Sequence, residues 1–215
     1  MSGQGRRQTW KNKMDFFRSN FRHNGDMRRL VSTRVCHGTT IKEVDWNSGG
    51  IIPDTDCLIT RDPKVVLAVN YADCFPVALW DPESGIRSVL HVGFKGAAEE
   101  IVALAIGKMI SHGAISGSIN AFIGPGICQD CYDFGPEAPQ KIAEQYHHHL
   151  RWDGIRDKYF VDIAGIILQQ MAHNGLLERN IINSRLCTSE NPRLFSARRE
   201  KCPIEELQSG VLMMG

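Results

Sequence analysis

The stretch from Asn70 to Gly96 constrains this chain more than any other. Two apolar runs of strand length, Val77–Trp80 and Ile86–Val92, flank Asp81-Pro-Glu-Ser-Gly85, which is turn chemistry. The pattern predicts a β-hairpin. With Trp80 facing Ile86 across the turn, Cys74 falls opposite the neighbourhood of His91, within about one position, and paired strands lie roughly 4.8 Å apart. A thiolate and an imidazole at that separation can share a metal ion or a proton. A bulge near Pro76 would absorb the slip of one position.

The rest of the chain is read around that hairpin. Its 215 residues, 42% hydrophobic, can bury one sizeable core. One domain is expected over residues 31–215, preceded by a basic arm over residues 1–30. In that arm Arg6, Arg7, Lys11, Lys13, Arg18 and Arg22 and their neighbours meet only Asp15 and Asp26. The loose spacing of Met14, Phe16, Phe17, Phe21 and Met27 predicts a helix over Met14–Leu30. No apolar segment follows Arg6-Arg7, so the pair is not a twin-arginine signal. The net charge of +1 gives no general attraction to nucleic acid or to an acidic membrane. No run approaches the roughly 18 apolar residues of a membrane helix. Seven cysteines, an odd number without framework spacing, fit a reducing compartment, and the cytoplasm is expected.

Strands are expected at Val31–Cys36, Asp56–Thr60, Lys64–Ala68, Ile119–Ile123 and Ile181–Asn183. After Gly96 the period changes: Ala98, Ile101, Val102, Ala105 and Met109 predict a helix beginning within Ala97–Glu100 and ending near His112-Gly113. A polar helix is expected after Pro136, through Ala143 to about Leu150. Another is expected from an Asp162 N-cap to Asn174-Gly175. The charged tail from Pro192 to Glu206 reads as irregular. Short strands joined by tight turns and interrupted by helices indicate an α/β domain with mixed, largely antiparallel sheets. No G-x-G-x-x-G opens a helix after the first strand, and no P-loop spacing occurs.

Three reactive groups stand at strand ends beside glycine: His37 before Gly38, Cys74 after Asp73, and His91 before Val92-Gly93. Two imidazoles and one thiolate form a three-ligand set that leaves a fourth tetrahedral position open, the pattern of a catalytic zinc site. The same atoms also serve a metal-free reading, with Cys74 as nucleophile, His91 as base and Asp73 or His37 as orienter. Gly93-Phe94-Lys95-Gly96 lies where the strand gives way to the helix, so its free N–H groups and the Lys95 ammonium can hold an anion. Arg198-Arg199 can grip a phosphate through paired N–H donors. Cys128-x-x-Cys131 has neither a second pair nor an H-x-E partner, so it reads as neither a zinc ribbon nor a nucleobase-deaminase signature. His147-His148-His149 reads as a solvated face.

These motifs occur in one order: His37-Gly38, Ala72-Asp73-Cys74 followed by Pro76, His91-Val-Gly-Phe-Lys-Gly96, Ile123-Gly-Pro-Gly-Ile127, Cys131-Tyr-Asp-Phe-Gly135, Cys187-Thr188 and Phe195-Ser-Ala-Arg-Arg199. The series resembles the laccase-domain or polyphenol-oxidoreductase-like family, also called purine nucleoside phosphorylase-like or peptidoglycan editing factor proteins. Residues 31–215 then form a laccase-like catalytic domain. The resemblance implies a four-layer α-β-β-α fold and a zinc site of His37, Cys74 and His91. It also implies phosphorolysis of adenosine, inosine, guanosine or methylthioadenosine, and deamination of adenosine, with Asp73 beside the metal trio. Phosphate or nucleoside would then be held by Phe94, Lys95, Arg198 and Arg199. Where the family commonly has Trp-Arg, this chain has Phe94-Lys95, which keeps the charge without a bidentate fork. The alternatives are a Cys-His hydrolase or amidase acting on a peptidoglycan-type amide, a copper oxidase of phenols, and a metal-binding scaffold. Multicopper centres need many histidine ligands, which eight histidines, three in one run, do not supply.

Overall fold

In the computed structural model, which describes residues 22–23, 26–27, 29–201 and 210–215, the hairpin is the centre of a six-stranded sheet. Strand Phe75–Trp80 pairs antiparallel with Arg87–Val92. The turn closes through Gly85 N–H to the Asp81 carbonyl and Asp81 N–H to the Ile86 carbonyl, both at 3.0 Å. Gly85 takes φ 71°, where a glycine carries no Cβ penalty. The register differs by one from expectation: Trp80 faces Arg87, and His91 faces Pro76. Side chains alternate across a strand, so Cys74, two residues before Pro76, comes to the same side as His91. The geometry expected of a bulge is met by parity instead.

The six-stranded sheet runs in the order Ile181–Asn183, Asn120–Ile123, Phe75–Trp80, Arg87–Val92, Cys57–Thr60, Ile41–Glu43, with parallel pairings at its two ends. A four-stranded sheet has the order Gly210–Met214, Val65–Tyr71, Arg29–Arg34, Ile51–Pro53, and a three-stranded sheet joins Asp133–Phe134, Lys158–Val161 and Leu150–Asp153. Both faces of the six-stranded sheet are apolar. Ile59, Val77, Leu79, Leu90 and Val92 pack with the helical residues Ile101, Ala105, Met109, Ile166 and Met171. From the other face Leu58 and Val89 meet Val31, Val65, Leu67 and Val69 of the four-stranded sheet. Burying each such aliphatic side chain contributes about 1.5–3 kcal/mol. Helices therefore cover one face of the six-stranded sheet and the four-stranded sheet covers the other.

The helix expected from Ala97–Glu100 onward is two pieces, Phe94–Ala98 and Ile101–Ser111, divided by Glu100 at φ 63°. The Glu100 carboxylate accepts from Tyr146 Oη and Gln145 Nε2, each at 2.7 Å, so tertiary bonds hold the break. Asp162 caps Ile163–His173 as predicted, accepting Gly165 N–H at 2.9 Å. The polar helix after Pro136 is corrected to two 3-10 segments, Ala138–Lys141 and Glu144–His149, followed by strand Leu150–Asp153. Without an apolar stripe, only Ala138, Ile142 and Tyr146 are buried there. His147 and His148 are exposed, but half-buried His149 bonds Gln169 Oε1 at 2.8 Å.

The helix expected over Met14–Leu30 is replaced, where described, by the paired strands Arg22–His23 and Asp26–Met27 and by strand Arg29–Arg34, which crosses the boundary set after residue 30. The remainder of that expectation lies outside the described residues. In the tail, Ser196 caps a helical turn at Ala197–Glu200. No described helix is long and apolar enough to cross a membrane.

Candidate metal centre

Two loops and strand Arg87–Val92 bring His37, Cys74 and His91 to one point, their candidate ligand atoms all within 4.8 Å of one another. The rings of His37 and His91 meet edge to face, with centroids 4.8 Å apart. Gly93 faces Cys74 across the hairpin, and a Cβ at Gly93 would stand 2.9 Å from Cys74 Sγ. The glycine of the His-Val-Gly motif is therefore the space the sulfur occupies.

A residue that the sequence reading treated only as the start of a strand holds the arrangement together. Asp56 is fully buried, and its carboxylate takes four donors: His91 Nδ1 at 3.0 Å, His37 N–H at 3.0 Å, Gly38 N–H at 2.8 Å and Cys36 Sγ at 2.9 Å. Antiparallel pairing of Cys57 with Leu90 places Asp56 opposite His91, whose N–H donates to the Asp56 carbonyl at 2.7 Å. Burial would raise the Asp56 pKa, but bonds from His91, Cys36 and Gly38 outweigh it and hold the carboxyl at about 2. An ionised partner on Nδ1 holds a proton there, so Nε2 is the nitrogen turned to the trio, the one a metal would take once its own proton has left. The available signal was an acidic residue heading the apolar run Cys57-Leu-Ile.

Strain gathers at this point. His37 and Asp73 both have left-handed backbone, at φ 59° and 83°, a conformation that persists where surroundings over-determine it. Asp56 pins the first. Asp73 is pinned through its own carboxylate, which accepts Thr188 Oγ1 at 2.6 Å and Arg198 N–H at 2.7 Å. The orienter of His91 is accordingly Asp56, while Asp73 fixes the backbone that carries Cys74. Burial pushes the Cys74 thiol up, yet hydrogen bonds from His37 and His91 bring it down to about 7. Burial alone would lower His91, and Asp56 and Cys74 raise it to about 9.

An aromatic wall adjoins the trio. Phe94 stacks on Phe134 with centroids 4.3 Å apart, and Tyr132 meets Phe134 edge to face at 4.7 Å. Arg198 lies over the Tyr132 ring at 5.6 Å and pairs with Asp133. Lys95 is 64% exposed, with its ammonium 3.8 Å from Glu99. The two adjacent arginines do not form one fork. Arg199 donates to the carbonyls of Thr188 at 2.6 Å, Asn191 at 3.1 Å and Ser189 at 3.2 Å, and to that of Leu194. It fastens the loop that precedes it, and only Arg198 stands against the wall.

The donor set fits a resident divalent ion: one thiol at a lowered pKa, one imidazole with its free nitrogen fixed by a buried carboxylate, and a second imidazole in contact with the first. The His2Cys composition also leaves room for an exogenous ligand.

Residues 8–211 match the family described as multi-copper polyphenol oxidoreductase laccase. The chain is 30% identical over 187 residues to "Adenosine deaminase RL5" of an unknown prokaryotic organism, covering 81% of this chain and 71% of the relative. It is 32% identical over 186 residues to "Purine nucleoside phosphorylase ORF3" of Streptomyces griseus, covering 84% and 73%. Among solved structures, the hypothetical protein YfiH of Bacillus licheniformis superposes with a TM-score of 0.81 at 26% identity, covering 91% of this chain and 77% of that one.

Proposed function

Because this chain belongs to the family of multi-copper polyphenol oxidoreductase laccases, we propose that residues 31–215 act as one catalytic domain on purine nucleosides, as a zinc-dependent phosphorylase that also deaminates adenosine. The observation that carries this reading is the convergence of His37, Cys74 and His91 with the aromatic wall of Phe94, Phe134 and Tyr132 alongside. The names of the relatives, adenosine deaminase and purine nucleoside phosphorylase, support the substrate class. When bound at the trio, a divalent ion supplies Lewis-acid chemistry: it polarises an electrophile or acidifies a water. Zinc suits the donors better than a copper cluster, because neither metal-competent group among the described residues holds more than two histidines.

The chain's own residues do the rest. Asp56 holds the His91 proton on Nδ1 and keeps His37 in its strained conformation. Phe94 offers a flat apolar face on which a purine can stack. Lys95 and Arg198 supply positive charge for inorganic phosphate, Lys95 as a point charge and Arg198 from above Tyr132. Burial raises the Tyr132 pKa, so its hydroxyl stays protonated. Asp73 holds the Arg198 backbone to the Cys74 loop, linking the phosphate side to the metal side. The six described cysteines are free thiols, which supports a reducing compartment such as the cytoplasm.

The lowered Cys74 pKa between two imidazoles favours a second reading, a thiolate nucleophile that needs no metal. One assay separates the two. Purified protein incubated with inosine or adenosine should release free base and ribose phosphate only with inorganic phosphate present, and should lose that activity to a chelator and regain it with zinc. Base release indifferent to phosphate removes the phosphorylase reading, and activity indifferent to the chelator favours the thiolate.

A further inference from the structure

Cys128-x-x-Cys131 lacks a sequence partner but acquires one in space. Cys187, 59 residues beyond Cys128, accepts the Cys128 N–H on its sulfur at 3.3 Å, and Cys131 Sγ lies 3.8 Å from Glu190 Oε1. The candidate ligand atoms of Cys128, Cys131, Cys187 and Glu190 all fall within 4.8 Å of one another. Backbone bonds fix both segments. The 3-10 turn Gln129–Cys131, with Cys131 N–H on the Cys128 carbonyl at 3.1 Å, brings the first two sulfurs together. A parallel bridge joins Gly126 to Cys187, with Thr188 N–H on the Gly126 carbonyl at 3.0 Å and Gly126 N–H on the Leu186 carbonyl at 3.1 Å. A Cβ at Gly126 would stand 2.4 Å from the Phe75 ring, so this crossing of segments is also packed tightly against the hairpin.

We propose that Cys128, Cys131, Cys187 and Glu190 bind a second divalent ion, zinc or a similarly thiophilic cation, at a site separate from the His37, Cys74 and His91 centre. Three sulfurs and one carboxylate oxygen complete a tetrahedron and leave no position for a reactant, the composition of a structural site. Sulfur-rich donors select zinc over magnesium or calcium. On binding, the three thiols become thiolates and release their protons to solvent. The ion locks the 126–131 segment to the 187–190 segment. The first leads directly into Tyr132, and the second carries Thr188, whose hydroxyl holds Asp73 beside Cys74. The second ion thus braces the aromatic wall and the Cys74 loop without touching substrate, whatever the reaction at the first centre.

The test uses the full chain in a Cys74→Ala/His37→Ala background, which removes the first centre. Elemental analysis of this protein, purified under reducing conditions without chelator, should find about one zinc per chain. Adding Cys131→Ser should abolish it. Cobalt loaded into the double variant should give intense thiolate-to-metal charge-transfer absorption in the near ultraviolet. Glu190→Gln, an exposed substitution that leaves the sulfurs in place, should keep that absorption and alter the visible cobalt bands. The site is overturned if the folded double variant, checked by circular dichroism, takes up neither zinc nor cobalt on titration. A disulfide among Cys128, Cys131 and Cys187 that persists in reductant, or equal alkylation of the three thiols with and without zinc, overturns it as well.

Discussion

His91 Nδ1 lies 3.0 Å from Asp56 Oδ1, and the same carboxylate binds the backbone N–H groups of His37 and Gly38. One buried acid therefore orients two of the three candidate ligands without belonging to the candidate set itself. Asp56→Asn keeps every donor of the trio but loses the ionised partner, and removal of such a partner typically costs about 10–100-fold in metal affinity. Competition against a chromophoric chelator measures this, and an unchanged affinity would show that Asp56 does not hold the ligands.

Asp56 also gives the fold an acid limit. Its carboxyl is held at about 2 against an ordinary 3.8. Because the folded value is the lower one, the stabilisation is fully present above the ordinary value and disappears as pH falls through the folded one. At about 1.4 kcal/mol per unit this is roughly 2 kcal/mol. Urea unfolding of metal-free protein at steps between about pH 5 and 2 should show that loss in the wild type and a shallower slope in Asp56→Asn.

The cysteines should differ sharply in reactivity. Cys74 sits at about 7, whereas burial pushes Cys57 up to about 12. In metal-free protein, alkylation of Cys74 should rise through pH about 7, earlier than for an ordinary thiol, while Cys57 stays unlabelled in the native state. Zinc should protect Cys74. Peptide mass spectrometry after a short iodoacetamide pulse reads all three outcomes.

Phe94 provides the stacking test. Truncating an aromatic under a base costs about 1–3 kcal/mol, so Phe94→Ala should raise KM for inosine roughly tenfold with little change in kcat. An unchanged KM would take Phe94 out of the substrate site.

Two glycines should respond oppositely to alanine. At Gly107, inside Ile101–Ser111, a Cβ meets nothing within 4 Å, and Gly107→Ala should stabilise by about 0.5–1 kcal/mol. At Gly93 the same methyl meets Cys74 Sγ at 2.9 Å, so Gly93→Ala should cost about 1–3 kcal/mol and displace the sulfur from the trio. Thermal melts and zinc content read the pair together.

What could be read early was local. Turn residues at Asp81–Gly85, the helical period from Ile101 to Met109 and the Asp162 cap depend on neighbours a few positions apart, and each formed as the pattern required. The polar segment after Pro136 and the arm before Leu30 lacked a clear apolar stripe, and in the described residues of both the structure departs from the helices expected.

His37, Cys74 and His91 stood out in the sequence as metal-competent side chains at the ends of expected strands, two of them next to or two places from a glycine. Their partners did not. Asp56 is 35 residues from His91, and Cys187 is 59 from Cys128. For Asp56 the local hint goes no further than its place at the head of the apolar run Cys57-Leu-Ile, and nothing local distinguishes Cys187 as a third thiol from a core cysteine. Strand register and sheet order decide those meetings. Shifting the hairpin by one residue would turn His91 to the opposite face from Cys74, and the parity that prevents it is set by the packing of both faces of the six-stranded sheet.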